Sequence, residues 1–269
     1  MIRLALKTRP DLPLEADTIR PDYFAQKTEA EIAKLPVLHG NQFCALGDFF
    51  NVRGGASDQL VLEGDLAQVK RIGTGMEYGQ ITIHGNAGMH LGAGMRAGEI
   101  VVFGDAGDWA GAEMCGGKIH IHGNAGHGLG GAYRGSRHGM NRGMILVEGN
   151  AGNETGSLMR RGLVAVRGDV GEFAGAFVIA GTLIVFGSLG RRAGAGMKRG
   201  TIVAYQQPEL LPTFTFDCVY QPLYLRLILQ TLQLEGFSIE EEWRTGAYRR
   251  YSGDLNALGK GEIFVYDQH

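Results

Sequence analysis

Several features that direct a sequence towards a function class are scarce in this chain of 269 residues. Its three cysteines, Cys44, Cys115 and Cys218, lack C-x-x-C spacing and give no support for an iron–sulfur or zinc site. We expect three buried thiols. The formal net charge of −2 provides no basic field for nucleic acid. No apolar run approaches the roughly 18 residues of a membrane span, and the N-terminal residues lack the layout of a signal peptide. These absences predict a cytoplasmic protein with neither nucleic-acid nor membrane partners.

Motifs for catalysis and nucleotide binding are also missing. The sequence has no Ser-His-Asp spacing and no nucleophile elbow. Gly73-x-Gly75 and Gly92-x-Gly94 are not followed by the helix that a dinucleotide site requires. A six-residue repeat, typical of left-handed acyltransferases, does not fit either. The residues therefore predict no catalytic group.

Glycine is abundant, and its spacing is the main signal in the sequence. Of the 44 glycines, 34 lie between residues 73 and 200. The glycines that open successive short apolar segments are 19, 19, 26, 19, 19 and 19 residues apart, namely Gly79, Gly98, Gly117, Gly143, Gly162, Gly181 and Gly200. A constant period near 20 is typical of a solenoid, whose repeats bury apolar faces by stacking.

Each repeat carries a β-branched triplet and a methionine. The triplets run from Ile81-Thr82-Ile83 to Ile202-Val203-Ala204, and we expect their first and third residues to point inward. One further position, equivalent in every repeat, is predicted to be buried. Stacked over the repeats it forms a ladder of Met76, Met95, Met114, Met140, Met159, Val178 and Met197. Methionine fills irregular gaps well, so the ladder is interpreted as core.

The pattern predicts an all-β, right-handed parallel β-helix with about 19 residues per coil. We assign residues 1–45 to an N-terminal cap, 46–205 to the β-helix and 206–269 to a C-terminal capping extension. Leu46–Asp48 and Leu60–Asp65 are interpreted as degenerate first coils. The mostly apolar segment 222–232 predicts a helix, and 262–266 predicts a closing strand. The two terminal segments are interpreted as caps, because open strand edges at solenoid ends are normally covered.

The 26-residue step contains seven extra residues, Tyr133–Gly139. Insertions in solenoids become loops on one face, often the binding face. The loop is basic and contains a tyrosine and a histidine, so Tyr133 and Arg134 are candidate interface residues. A solvated loop without a role is the alternative.

The middle residue of each triplet faces outward yet is often apolar, as at Val101, Leu146, Ile184 and Val203. Exposed contiguous apolar area usually marks an interface. We favour a partner subunit on this outward column. The alternative is that the terminal segments fold back over it.

Two sets of polar residues are candidate ligand sites. His120 and His122 face the same way on one strand, which suits two metal ligands, but no third ligand is evident in register. Surface histidines and no metal site are therefore predicted. Arg160, Arg161, Lys198 and Arg199 form a basic ladder on stacked coils, which suits a polyanion or a solvated corner.

The repeats resemble a known family. The cassettes Gly92–Ile100 and Gly194–Ile202 are similar to the GXGXG repeat of the glutamate synthase C-terminal β-helix. The C subunit of formylmethanofuran dehydrogenase is more similar over about residues 1–205, and the tail is similar to the C subunit of the bacterial formyltransferase/hydrolase complex. The segments that carry these two likenesses are Ile19–Asp22, Leu46–Phe50, Gly130–Ser136, Phe216–Pro222, Gly253–Leu255 and Gly259–Ile263.

The resemblance implies a non-catalytic scaffold subunit in methylotrophic one-carbon metabolism. The complex would transfer formyl from formyl-tetrahydromethanopterin to methylofuran and hydrolyse it to formate. Its partners would be hydrolase-like, transferase and dehydrogenase-like B subunits, with the metals on those partners and no cofactor on this chain. Arg160, Arg161, Lys198 and Arg199 would then hold a polyglutamylated carrier. The alternatives are the C subunit of an archaeal-type dehydrogenase that reduces CO2 and a stand-alone binding β-helix.

Overall fold

The computed structural model describes residues 1–267, and strands dominate it. In chain order the strands are β1 (Ile2–Leu6), β2 (Leu14–Glu15), β3 (Pro36–His39), β4 (Gln42–Ala45), β5 (Phe50–Arg53), β6 (Gln59–Glu63), β7 (Val69–Lys70), β8 (Gln80–His84), β9 (Glu99–Val102), β10 (Lys118–Ile121), β11 (Met144–Val147), β12 (Leu163–Val166), β13 (Thr182–Val185), β14 (Thr201–Ala204), β15 (Thr215–Tyr220), β16 (Tyr248–Gly253) and β17 (Gly261–Tyr266). The helices are α1 (Pro21–Phe24), α2 (Glu29–Ala33), α3 (Leu46–Phe49), α4 (Leu223–Leu234) and α5 (Glu241–Thr245). Residues 268–269, the end of the predicted extension, lie outside this description.

One 13-stranded, mostly parallel sheet organises the molecule, in the order β15-β16-β17-β14-β13-β12-β11-β10-β9-β8-β6-β1-β5. Neighbouring repeats pair equivalent residues, as Ile81 with Ile100 and Ile119 with Ile145. A second line of parallel bridges runs from Leu66 to Leu189. Pairing between successive repeats is what the sequence period predicted.

The predicted inward columns and methionine ladder form the core. The first and third residues of the triplets from Ile81–Ile83 to Ile202–Ala204 are fully buried, and no member of the ladder is more than 1% exposed. Burying an aliphatic side chain contributes about 1.5–3 kcal/mol. Because every repeat buries the same positions, the stack has a single continuous core, and this prediction is confirmed.

The glycine that opens each strand is required by close packing. At Gly117 the backbone has φ +83°, and an added Cβ would lie 2.6 Å from Met95 Cε and 2.8 Å from the Gly98 carbonyl oxygen. No ordinary side chain fits there, so a single position combines a left-handed backbone with contact to the preceding repeat.

The Asp or Asn after each closing glycine has a separate function. Its side-chain oxygen accepts a hydrogen bond from the backbone N–H one repeat later, as Asn86 does from Asp105 (2.9 Å) and Asn150 from Asp169 (2.8 Å). The series continues to Ser188, whose N–H donates to Asp169 Oδ1 at 2.7 Å. This bond lowers the pKa of Asp169. The side-chain ladder ties consecutive turns together where the strands have ended.

The N-terminal segment extends the sheet. Strand β1 pairs in parallel with β6, and β5 pairs with β1 in the antiparallel sense. Strands β4, β3, β2 and β7 form a second, small sheet. Leu60–Asp65 includes the first paired repeat strand, β6. The interpretation of Leu46–Asp48 as a coil is wrong, because these residues begin α3, where the Asp48 side chain accepts a bond from the Ala45 N–H at 2.9 Å.

The C-terminal segment also joins the sheet and then covers it. Strand β17 pairs in parallel with β14, and β16 and β15 follow in antiparallel order. Helix α4 buries Leu225, Leu229 and Leu232 in one cluster with three residues of the outward column, which are Leu146, Ile184 and Val203. The prediction that a partner covers these three positions is wrong, because they are fully buried within the chain itself, in a cluster with α4 and with Phe237 and Ile239 after it.

Two further expectations concern membranes and thiols. Among residues 1–267, no helix is both long and apolar enough to cross a membrane. The cysteines are not all buried: Cys115 and Cys218 are exposed, and Cys44 is partly exposed. Cys218 lies in β15, whose six residues are all exposed at the edge of the sheet.

Candidate functional site

The basic corner consists of Arg160, Arg161, Lys198 and Arg199. All four side chains are exposed, in the turns before β12 and β14. The pairs belong to alternate repeats, and the repeat between them carries Ile179 and Ala180, so the pairs are about 9.6 Å apart by strand spacing. Within residues 1–267, none of the four has an ion-pair partner, although Arg160 Nη1 lies 3.2 Å from His138 Nε2. The four cations therefore remain available to an anion from outside the chain.

The inserted loop forms one wall of a groove beside this corner. The loop groove has a volume of about 290 Å³ and is lined by Tyr133, Arg134, Ser136, Ser157, Phe173 and Phe177, among others. Arg134 is exposed and Tyr133 is half-buried. Sequence reasoning found the loop but missed Phe173 and Phe177, which lie 34 and 38 residues beyond its end at Gly139 and meet it only through stacking of the repeats.

The Tyr133 end of the loop is anchored. Its hydroxyl lies 2.9 Å from His90 Nδ1, its ring packs at 6.2 Å from Trp109, and its N–H donates to Glu113 Oε1 at 3.3 Å. Burial raises the pKa of Tyr133, and burial with the charges of Arg71 and Lys70 lowers the pKa of His90. Both shifts favour the neutral forms of the phenol and the imidazole, which share one hydrogen bond.

A His–Glu cluster of His120, His122 and Glu148 lies on the outer face of β10 and the end of β11. One ligand atom from each side chain lies within 4.8 Å of the others. Burial lowers the pKa of His120, assisted by His122 and Lys118 and opposed by its bond to Glu148. Glu148 was not predicted as a third ligand because the seven inserted residues conceal its register with His122. Subtracting them restores the 19-residue step.

The part of the outward column that α4 does not cover is small. Val101 on β9 is partly exposed. A larger set of exposed apolar side chains, named the C-terminal apolar face, is spread over β15 and α4 and comprises Phe216, Val219, Tyr220, Leu223 and Leu227. Leu223 and Leu227 are 69% and 67% exposed and, four residues apart, share one side of α4. Helix α4 is thus apolar on two sides, of which only one is buried.

Comparisons with known proteins agree with one another. The GXGXG motif family matches residues 61–216. The C subunit of the formyltransferase/hydrolase complex Fhc of Methylorubrum extorquens is 44% identical over 97% of this chain and 98% of the relative. A chain in the crystal structure of FhcABCD from Methylorubrum extorquens in complex with methylofuran superposes with a TM-score of 0.93, covering 99% of this chain and 100% of that one, at 38% identity.

Archaeal relatives match over a shorter part. The C subunit of the tungsten-containing formylmethanofuran dehydrogenase 2 of Methanothermobacter thermautotrophicus is 41% identical over 95 residues, which are 34% of this chain and 35% of the relative. The C subunit of the molybdenum-containing formylmethanofuran dehydrogenase 1 of Methanosarcina barkeri is 48% identical over 86 residues, or 30% of this chain and 29% of that relative. These alignments span about a third of each archaeal protein.

Proposed function

The chain belongs to the family of the C subunits of formyltransferase/hydrolase complexes, which carries the GXGXG motif, and we propose that it is the scaffold subunit of such a complex. The observation that carries the proposal is the match to the Methylorubrum relative over 97% of the chain, terminal segments included. The archaeal matches stop at about a third of the chain. A scaffold of an archaeal-type dehydrogenase is therefore the second candidate.

The complex transfers a formyl group from formyl-tetrahydromethanopterin to methylofuran and hydrolyses it to formate. Its hydrolase-like and transferase subunits perform the chemistry, the metals lie on partner subunits, and a dehydrogenase-like B subunit completes the complex. The role of this chain is to position them. The repeated side chains of this chain support a positioning role rather than a catalytic one. The triplets, the methionines and the Asp/Asn ladder all hold the stacked repeats together.

The stacked repeats wind as a right-handed parallel β-helix. The in-register parallel pairing and the second line of bridges support a closed coil of about 19 residues. A crystal structure of the chain tests this reading, and a left-handed crossover between β9 and β10 would contradict it.

The partner subunits contact the C-terminal apolar face, together with Val101, Tyr133 and Arg134. Strand β15 supports this assignment, because it is the edge strand of the sheet and all six of its residues are exposed. Unpaired edges and apolar patches are unfavourable in a free protein. Replacing Leu223 and Leu227 by Ser should release the chain from the complex, while Leu12→Ser, at a 49% exposed leucine outside the C-terminal segment, should leave assembly intact.

The basic corner holds the polyglutamyl tail of the carrier. Arginine pairs well with carboxylates, and the two basic pairs suit a chain of carboxylates that crosses the repeats. The assembled complex with Arg160→Glu and Arg161→Glu should bind the carrier at least tenfold more weakly, with a shallower dependence on salt. Arg96→Glu is the matched control, since Arg96 follows Met95 as Arg160 follows Met159. Unchanged affinity of the double variant at every salt concentration would remove this role.

The assignment to a complex is itself tested by affinity purification of the tagged chain from its native host, with masses taken for all co-purifying proteins. Recovery of transferase and hydrolase-like subunits without a pterin-metal subunit is the expected result. Recovery of a tungsten or molybdenum pterin subunit would instead assign the chain to a formylmethanofuran dehydrogenase. Recovery of the chain alone would contradict both assignments.

A further inference from the structure

The His–Glu cluster has the backbone geometry of a three-ligand metal site. His120 lies on β10 and His122 directly follows the strand, so the two side chains project from one face, and Glu148 follows Val147, which pairs with Ile121 across the two strands. The Glu148 N–H donates to the Ile121 carbonyl oxygen at 2.9 Å, which fixes the register beside His122. The three ligand atoms lie within 4.8 Å of one another. The His120 Nε2–Glu148 Oε1 distance of 3.3 Å already matches the roughly 3.3–3.5 Å separation that tetrahedral bonds of about 2.0–2.1 Å require, whereas the imidazole of His122, stacked on that of His120 at 4.4 Å, has to turn towards the other two ligands.

Glu148 is already oriented as a ligand. Arg167 Nε donates to Oε2 at 2.6 Å, whereas Oε1 lies 3.3 Å from His120 Nε2. One oxygen is thus held from outside the cluster and the other is directed into it. Metal-binding carboxylates are commonly held by such a second hydrogen bond.

The surrounding charges favour a cation. Lys118, two residues before His120, is bound by Glu99 at 2.6 Å and by Glu235 at 2.7 Å. Arg167 is bound by Glu148. Three carboxylates against two cations give this part of the surface a negative charge, and His122 is exposed, so an ion has a path from solvent.

We propose that His120, His122 and Glu148 bind one Zn²⁺ ion on the outer face of the sheet. Two imidazoles and one carboxylate are a common zinc ligand set, and the fourth tetrahedral position is left for water. The sequence alone predicted no metal on this chain because only two of the three ligands were evident. The inference does not depend on the proposed function.

The ion would cross-link two repeats at the step of the stack that carries the insertion. Strands β10 and β11 are separated by the 26-residue repeat that carries the insertion. Phe237 of the covering segment lies 6.3 Å from His120 and 4.9 Å from the Arg167 guanidinium carbon. A metal bound here stabilises both the repeat junction and the adjacent end of the cover, which is a structural role coupled to folding.

The test uses the full chain, purified metal-free, with Zn²⁺ alone as the probe. Equilibrium dialysis with elemental analysis should give one tight equivalent, and Co²⁺ should produce the absorption of a tetrahedral nitrogen–oxygen site. Zinc should also raise the melting temperature. His122→Ala should weaken binding at least 100-fold, and Glu148→Gln should weaken it as well.

His84→Ala is the matched control. His84 occupies the position of His122 two repeats earlier and stacks on the same Phe103, at 5.2 Å. This variant should bind zinc like the unaltered chain. The proposal is overturned if no equivalent is retained, if His122→Ala binds normally, or if His84→Ala loses the ion equally. Because His122 is exposed, its variant is expected to fold, and its melting curve without metal checks this.

Discussion

Truncating two leucines of α4 tests whether the helix itself covers the outward column. Leu229 is fully buried in the cluster that contains Leu146 and Ile184. Leu227, two residues earlier on the same helix, is 67% exposed. The two substitutions to alanine make the same chemical change in the same helix, so their difference isolates packing against the sheet.

The expected magnitudes are well separated. Leu229→Ala removes buried methyl groups and leaves a cavity against the strands, which costs about 2–5 kcal/mol of unfolding free energy. Leu227→Ala removes no packed group and replaces one good helix former by another, so its effect should lie within about 0.5 kcal/mol.

Denaturant unfolding of the isolated chain provides the measurement. The midpoint for Leu229→Ala should fall with an unchanged slope, while Leu227→Ala should overlay the unaltered chain. Equal midpoints for the two variants would refute the reasoning, since α4 would then not cover the sheet without a partner. The outward column would then be interpreted as a surface covered by a partner subunit, as predicted from the sequence.

Three further predictions concern the repeats and the loop. Met114→Ala opens a cavity in the methionine ladder and should cost about 2–5 kcal/mol in thermal unfolding, whereas a cost below about 1 kcal/mol would mean that the ladder is loosely packed. Asn150→Ala removes the acceptor of the Asp169 N–H and should cost about 0.5–1.5 kcal/mol, with Asn150→Asp near neutral; equal losses in both variants would contradict the ladder. The pKa of His90 is lowered in the folded chain, so the unfolded chain binds more protons than the folded chain once the pH falls below the ordinary histidine value of 6.5. The contribution of neutral His90 to the free energy of unfolding should therefore be fully present above that pH and decline below it. When the free energy of unfolding is measured across a pH series, its decline at low pH should be shallower for His90→Gln than for the unaltered chain. An equal decline would show that His90 does not cause this pH dependence.

Much of the fold was predictable because its determinants are local and repeated. Each triplet contains β-branched residues, and the strand of each triplet is preceded by a glycine with a positive φ, as at Gly117, where an added Cβ would also clash. The helix at 223–234 and the strand at 261–266 were also predicted closely. Leu46–Asp48 was mistaken for a coil because a Leu-Gly-Asp sequence fits both a strand end and the first turn of a helix.

The candidate site was less predictable, because its parts meet only across repeats. Phe173 and Phe177 join the inserted loop in one groove through stacking, and their own repeat contains no sign of it. Glu148 enters register with His122 only after the insertion is discounted. The basic residues were found from sequence, but their spacing over alternate repeats follows from the register of the stack.

The sequence by itself determined the repeat, its inward columns and the positions of its glycines, since a fixed period forces every repeat to bury the same side chains. It also determined that α4 is apolar. Only the tertiary structure decided what α4 packs against, because an apolar surface specifies that it will be covered and not by which segment. Leu146, Ile184 and Val203 therefore lie beneath the chain's own helix, and the apolar residues left for a partner are those that α4 and β15 turn outward.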